Sequence, residues 1–93
     1  MVVASQTWEL SLPGCASLKE KRSVIRSLRD RLRAKFNVSV AETGLQDVLS
    51  RAEVSIALVS NDGRLVESIL DKTDHFVESH VQAGIVRVTR EIY

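Results

Sequence analysis

Residues 17–36 read SLKEKRSVIRSLRDRLRAKF, and the helix that they predict organises the rest of the chain. Apolar side chains recur here at helical spacing, at Leu18, Ile25, Leu28, Leu32 and Phe36. They predict one buried face on an amphipathic helix of about five turns. Ser17 and Glu20 have the spacing of a capping box, in which the Ser17 hydroxyl accepts a first-turn N–H and Glu20 reaches back to the Ser17 N–H. The helix is therefore predicted to begin after Ser17 and to end near Asn37.

Four segments outside this helix alternate between apolar and polar residues, which is the pattern of strands with one buried face. They are residues 3–12, 38–41, 54–59 and 85–93. Residues 45–52 predict a helical turn or an irregular connection. Cap and turn residues at 60–63 precede a second amphipathic stretch from Leu65 to Val77. Ala83-Gly84 separates that stretch from the last strand.

The order β-α-β, β-α-β predicts a single α+β domain over residues 1–93, a ferredoxin-like sandwich. Both helices lie on one face of a four-stranded antiparallel sheet, and right-handed crossovers place the first and third strands at its centre. The predicted core comprises Trp8, Leu10, Leu12, Ile25, Leu28, Leu32, Phe36, Val38, Val40, Val54, Ile56, Leu58, Ile69, Phe76, Val86 and Val88.

The opposite register leaves one face of the sheet without a helix. The residues predicted there are Thr7, Glu9, Ser11, Ser39, Ala41, Ser55, Ala57, Val59, Arg87, Thr89 and Glu91. RNA-recognition motifs stack bases on aromatic side chains of this face, and none is predicted here, which disfavours that mode of binding. The face is predicted to be either a flat contact for a second copy of the chain or a solvated surface.

The amino-acid composition limits the classes of protein to which this chain can belong. The chain is 44% hydrophobic and 27% charged, which is typical of a folded domain. No apolar run approaches the roughly 20 residues of a membrane span, and the first residues lack the features of a signal peptide. The single cysteine excludes an internal disulfide and fits a reducing compartment. We expect a cytoplasmic protein with no membrane contact.

Charge is unevenly distributed, although the formal net charge is only +1. Residues 17–36 carry eight cations and two anions, a net +6, while the remaining five cations and ten anions give −5. Lys19, Arg22, Arg26, Arg29 and Arg33 fall within about 80° of one another on the helix. Lys21 lies nearer the apolar side, in the first turn, and is expected to extend outward. This basic stripe indicates either phosphate contacts or a solvated face rich in helix-forming arginine.

Other reactive residues do not form a recognisable catalytic or metal-binding set. Cys15 is distant in sequence from His75 and His80, and no phosphate-binding or zinc-binding motif is present. Glu42, Gln46 and Asp47 form a polar cluster, which is either a contact site or the cap of a short turn. We therefore expect no metal, no cofactor, no small-molecule substrate and no enzymatic activity.

Four motifs occur in order: SLKEKR at 17–22, FNVSVAE at 36–42, QD at 46–47 and VSN at 59–61. Together they resemble the YlxP-like family, small bacterial proteins that carry the domain of unknown function DUF503. The resemblance implies a ferredoxin-like fold and, because the genes often lie beside those of translation initiation and ribosome-binding factors, a role near the ribosome. The motif positions, with no role implied for them, are Lys19, Lys21, Arg22, Asn37, Glu42, Gln46, Asp47, Ser60 and Asn61.

Two functional hypotheses follow. In the first, the chain binds ribosomal RNA or a ribosomal subunit through the first helix, with Lys19, Lys21, Arg22, Arg26, Arg29 and Arg33 as phosphate contacts. In the second, the helix-free sheet face forms a homodimer or contacts another protein, and the basic helix only aids solubility.

Overall fold

The structure, a computed structural model, describes residues 1–80 and 84–93. Its elements are β1 (Val2–Ser11), α1 (Leu18–Lys35), β2 (Ser39–Gly44), β3 (Arg51–Ser60), α2 (Gly63–His80) and β4 (Ile85–Ile92). Ala83, which was predicted to help separate α2 from β4, lies outside the described residues. Neither helix in the described ranges combines the length and apolar character needed to cross a membrane.

The four strands form one antiparallel sheet in the order β2-β3-β1-β4. The central pair, β1 and β3, is in register from Val2 opposite Ser60 to Ser11 opposite Arg51. This arrangement confirms the predicted ferredoxin-like fold with the first and third strands in the centre. Both helices pack on the face that carries Trp8 and Ile56, so the opposite face is open. We call that second surface the open face.

Local hydrogen bonds explain where the helices begin and end. The Ser17 hydroxyl accepts the Glu20 N–H at 3.2 Å, as predicted, but Glu20 Oε2 accepts the Ala16 N–H at 2.7 Å. The predicted return bond to the Ser17 N–H is therefore wrong by one residue. At the other end of α1, the Phe36 N–H donates to the Leu32 carbonyl. Asp62 Oδ1 accepts two N–H groups of the first turn of α2, which makes Asp62 the cap of that helix.

The core is centred on Trp8, which is fully buried and donates its indole N–H to Asp74 Oδ1 at 2.9 Å. Most predicted core residues are buried, while four are only partly buried at its margin, namely Phe36, Val38, Ile69 and Phe76. The sequence prediction omitted five buried apolar residues, Ala4, Ala52, Val66, Leu70 and Val77. Three of these lie on α2, so the most buried face of that helix is centred on them and not on Ile69 and Phe76.

Val86 and Val88 are not core residues, and their prediction was wrong. They are 46% and 42% exposed. The helices pack against β2, β3 and β1, and β4 extends beyond α2. On this uncovered margin, Arg90 donates to Gln6 Oε1 at 2.6 Å and to Asp71 Oδ1 at 2.9 Å.

The segment between β2 and β3 is shorter than predicted. Residues 51–53 belong to β3, not to the connection. Thr43 and Gly44 belong to β2, because the strand continues beyond Ala41 through a bulge that pairs Glu42 with Val54 and Gly44 with Glu53. A Cβ atom at Gly44 would lie 2.7 Å from Oε2 of the Glu53 side chain, so a larger residue at this bulge would require that flexible carboxylate to move.

Candidate nucleic-acid interface

The basic stripe of α1 is largely exposed. Lys19, Arg22 and Arg26 are exposed, and no carboxylate in the described part of the chain lies within 4.0 Å of their charged nitrogens. Because the helix rises 1.5 Å per residue, the whole stripe from Lys19 to Arg33 is about 20 Å long. Cations that lack internal partners keep their full attraction for an external anion.

The C-terminal part of the stripe is partly engaged. Arg29 Nε lies 3.2 Å from Oδ1 of the adjacent Asp30, an ion pair whose members are 37% and 59% exposed. Such exposed pairs contribute little, so Arg29 can exchange Asp30 for another anion. Arg33 donates one Nη2 bond to the Val40 carbonyl at 2.9 Å, which ties α1 to β2. Its other N–H groups make no hydrogen bond to the described residues.

A shallow cleft of about 150 Å³ lies beside the stripe. It is lined by Arg22, Ile25, Arg26, Arg29 and Glu42. Three guanidinium-bearing residues therefore border one small space between α1 and β2, with a single carboxylate opposite them. Guanidinium groups bind phosphate through paired N–H donors, and this arrangement is suited to the backbone of a polyanion.

Lys21 does not belong to this surface. Its side chain is 1% exposed, and Nζ donates to the carbonyls of Leu45 and, at 2.7 Å, Val48. The Gln46 carbonyl lies at 3.4 Å and Glu42 Oε2 at 3.5 Å. The prediction that Lys21 extends outward to a phosphate was wrong, because the turn after β2 lies across the first turn of α1 and encloses the ammonium group.

The polar cluster predicted at 42–47 builds this turn. Gln46 Nε2 donates to the Glu42 carbonyl at 3.4 Å, and the Val48 N–H donates to the Leu45 carbonyl at 3.0 Å. Leu45 has a φ of 59°, the left-handed region that side chains other than glycine rarely adopt. Of the two alternatives, the geometry favours a turn cap over a contact site for Glu42 and Gln46, which are joined by this hydrogen bond, while Gln46 and Asp47 are both exposed.

The other residues of the four sequence motifs do not line the cleft beside the basic stripe. Asn37 and Val59 line a second shallow cleft, of about 300 Å³, and Asn37 itself is exposed. Ser60 Oγ accepts the Asp62 N–H at 3.1 Å, and Asn61 is exposed just before α2. Ser60 therefore shapes the turn into α2, and the structure does not bring Asn37, Ser60 or Asn61 together with the basic stripe.

The open face is a polar hydrogen-bonded surface. Ser55 Oγ lies 2.8 Å from Thr7 Oγ1 and 2.7 Å from Thr43 Oγ1, which links β1, β3 and β2. Arg51 donates to Glu9 at 2.8 Å on the same face. The four strands place no aromatic side chain there. Tyr93 was included in the predicted last strand but not among the residues of this face; it follows β4, and its hydroxyl donates to Glu91 at the margin of the face.

In the described ranges, no three His, Cys, Asp or Glu side chains converge as the ligands of one metal ion would. Cys15 is half-buried in the loop before α1. His80 stacks on Phe76 with ring centroids 5.4 Å apart, and burial, followed by the charge of Arg31, lowers its pKa below 6.5.

The family model described as a protein of unknown function, DUF503, matches residues 3–90. The chain belongs to the DUF503 family. It is also 41% identical over 63 residues to the uncharacterized protein YlxP of Bacillus subtilis (strain 168), an alignment that covers 68% of each protein. The family and this relative confirm the resemblance drawn from the four sequence motifs.

A solved structure supports the fold of the DUF503 chain. The chain is similar to a de novo designed protein with a ferredoxin fold, determined by solution NMR, with a TM-score of 0.59 and 12% sequence identity. The similarity covers 99% of this chain and 84% of the designed one. At this identity the comparison shows the fold alone, and function must be argued from the surface of the DUF503 chain itself.

Proposed function

We propose that this DUF503 protein is a cytoplasmic, non-enzymatic module that binds RNA, in particular ribosomal RNA or a ribosomal subunit, through the basic stripe of α1. The observation that supports this proposal most is that Lys19, Arg22 and Arg26 are exposed with no ion-pair partner within the described residues. A stripe that served only to support the fold would engage neighbouring carboxylates.

The stripe and the adjacent cleft supply contacts to a phosphate backbone. Arg22, Arg26 and Arg29 border the cleft, while Lys19 and Arg33 extend the stripe to either side. Arginine pairs with phosphate in a bidentate manner, so a row of arginines can fix the path of a strand as well as attract it. Nothing on this surface reads base edges or stacks bases, and binding depends on the backbone, not on sequence.

The uneven distribution of charge would orient the protein as it approaches an RNA. The basic segment at 17–36 carries +6, whereas the rest of the chain carries −5. A polyanion is attracted to one side of such a molecule and repelled by the other. The domain would therefore bind RNA with α1 towards the phosphates and present its sheet margins to solvent or to protein.

The salt dependence of RNA binding tests the proposal. With about four phosphates of a single strand engaged, log K falls with log[salt] at a slope near −3. In the Arg26→Glu, Arg29→Glu double variant, about two contacts are lost and the slope falls to about −1.5. We would measure binding of ribosomal RNA and co-sedimentation with ribosomal subunits at low and high salt.

The matched control reverses two cations outside the stripe. Arg64 and Lys72 are exposed on α2, so the Arg64→Glu, Lys72→Glu variant has the same net charge as the double variant of α1. The proposal requires this control to bind much more tightly than the α1 variant, with both retaining the circular dichroism of the parent. Equal affinity of the two variants would mean that net charge, not the stripe, governs binding.

A further inference from the structure

The two edge strands of the sheet, β2 and β4, differ in how accessible they are to a further strand. At the β2 edge the strand has six residues, is interrupted by the bulge after Glu42, and has its Val40 carbonyl engaged by Arg33. These features block the addition of another strand. At the other edge, β4 is eight residues long, and every residue from Val86 to Ile92 is exposed.

The outward side of β4 carries backbone groups without partners in the described part of the chain. The Tyr93 N–H donates to the Val3 carbonyl at 2.8 Å, so the backbone N–H and C=O groups of Tyr93 point towards β1. Because this direction alternates along an antiparallel strand, Val88, Arg90 and Ile92 direct their N–H and C=O groups away from the sheet. An edge of this kind is a template for a further strand.

Apolar side chains accompany these backbone groups. Val88 and Ile92 lie on the helix-facing side of β4 and are 42% and 43% exposed, because α2 does not extend over them. They lie on either side of Arg90 on this side of β4, and both are branched residues of the kind that pack well between paired strands. A partner strand would cover Val88 and Ile92 and satisfy the outward backbone groups at the same time.

The sequence of β4 is complementary to itself in one antiparallel register. When Thr89 lies opposite Thr89 of a second copy, Arg87 lies opposite Glu91, and the reverse pair forms by symmetry. The same register places Val86 opposite Ile92. It also brings Val88 opposite Arg90. Both residues direct their N–H and C=O groups away from their own sheet, so they can form a hydrogen-bonded pair between the two copies.

Two neighbouring registers would also pair residues whose backbone groups point outward, but their side-chain pairs are less favourable. A register centred on residue 90 places Arg90 opposite its own copy. One centred on residue 88 places Glu91 opposite Ile85. Opposite charges in cross-strand pairs stabilise a sheet and like charges destabilise it, so the register centred on Thr89 is preferred.

We propose that two copies of this chain pair through β4 in an antiparallel manner, with Thr89 on the two-fold axis, to form one continuous eight-stranded sheet. The axis is perpendicular to the sheet, and both pairs of helices lie on the same side of it. This interface is independent of the RNA-binding proposal, since it lies across α2 from the basic helix. It also differs from the open-face contact considered from the sequence.

Charge exchange tests the register. The full chain should sediment as a dimer of twice its 10.4-kDa mass. Arg87→Glu and Glu91→Arg each place like charges opposite one another twice and should weaken the dimer by about tenfold or more. The Arg87→Glu, Glu91→Arg double variant should restore it, and an equimolar mixture of the two single variants should form heterodimers. Arg64→Glu, on exposed α2, is the control for net charge and should sediment as the parent does.

Cross-linking tests the position of the axis. Directly opposed residues of a non-hydrogen-bonded pair have Cα atoms about 4.5 Å apart, which is within the range of a disulfide. In a Cys15→Ser background, Thr89→Cys should therefore form a disulfide-linked dimer on oxidation. Arg87→Cys should not, because residue 87 faces residue 91 and not its own copy.

Three results would overturn the proposal. One is a monomer at every accessible concentration. Another is a dimer that resists both charge reversals. The third is a dimer that is lost in the open-face variant Ala57→Arg while Thr89→Cys fails to cross-link, which would assign self-association to the open face instead.

Discussion

Lys21 shows how a charged residue can act inside the fold although it lies in the most basic segment of the chain. Its ammonium group holds the turn after β2 through the carbonyls of Leu45 and Val48, with Glu42 as the neighbouring negative charge. Glu42 Oε2 is buried and has no other hydrogen-bond partner in the described residues. Lys21 and Glu42 therefore depend on one another.

Substitution of Lys21 should destabilise the domain. Lys21→Met keeps the length of the side chain but leaves carbonyl groups unsatisfied and Glu42 without its counter-charge. We expect the free energy of unfolding to fall by about 3 kcal/mol. Urea denaturation followed by circular dichroism measures this loss. Lys19→Met, two residues earlier and exposed, should change stability by less than about 0.5 kcal/mol. Equal losses in the two variants would show that the buried ammonium group has no special role.

At the scale of elements, the start of α1 depends on the Ser17 cap. The hydroxyl satisfies the Glu20 N–H, one of the groups that a helix cannot satisfy internally. Ser17→Ala should lower the free energy of unfolding by about 1 kcal/mol. Ser23→Ala is the matched control, since Ser23 is exposed within α1 and alanine is the better helix former. Thermal unfolding that ranks the two variants in the opposite order would contradict the assigned cap.

The contact between the C-terminal ends of α1 and α2 should make stability depend on pH. Burial, and then Arg31, lowers the pKa of His80 below 6.5, and Lys35 lies 5.2 Å from the Phe76 ring on which His80 stacks. The unfolded chain then binds a proton more readily than the folded one, so stability is fully present above pH 6.5 and falls as the pH decreases below it.

His80→Phe tests this dependence, because it keeps an aromatic ring against Phe76 and removes the titrating group. The decrease in Tm below pH 6.5 should be smaller in this variant than in the parent. Calorimetry over a series of pH values gives both curves. Curves that remain parallel through this range would assign the pH dependence to other groups.

Periodicity predicted which elements form, but it did not predict what covers them. Helical spacing in residues 17–36 and alternation in the strands depend on local geometry, and the corresponding elements and their order are confirmed. Val88 alternates correctly, yet it is exposed because α2 packs on β3 and β1 and does not cover this part of β4. Lys21 is buried because a turn 25 residues later lies over it. Both outcomes depend on long-range packing, which a local pattern does not contain.

At the scale of the whole molecule, the exposed stripe lowers stability while it creates the proposed binding surface. Four pairs of cations within the basic stripe are three or four residues apart, from Lys19 and Arg22 at one end to Arg29 and Arg33 at the other. Like charges at these spacings each cost about 0.2–0.5 kcal/mol, so together they destabilise the helix by about 1–2 kcal/mol. The acidic remainder of the chain does not cancel this repulsion, because no carboxylate in the described ranges pairs with Lys19, Arg22 or Arg26.

Salt should therefore act on stability and on binding in opposite directions. Moderate NaCl screens the repulsion within the stripe, since the Debye length is about 10 Å at 0.1 M, and should raise Tm by about 5 °C. The same salt weakens RNA binding, because the release of counterions from the RNA is less favourable when the surrounding solution contains more salt. Arg26→Gln with Arg29→Gln should raise Tm at low salt, reduce its response to NaCl and weaken RNA binding. A Tm of the parent that falls on addition of NaCl would mean that attractive ion pairs dominate, which would remove the physical basis of an unneutralised stripe on α1.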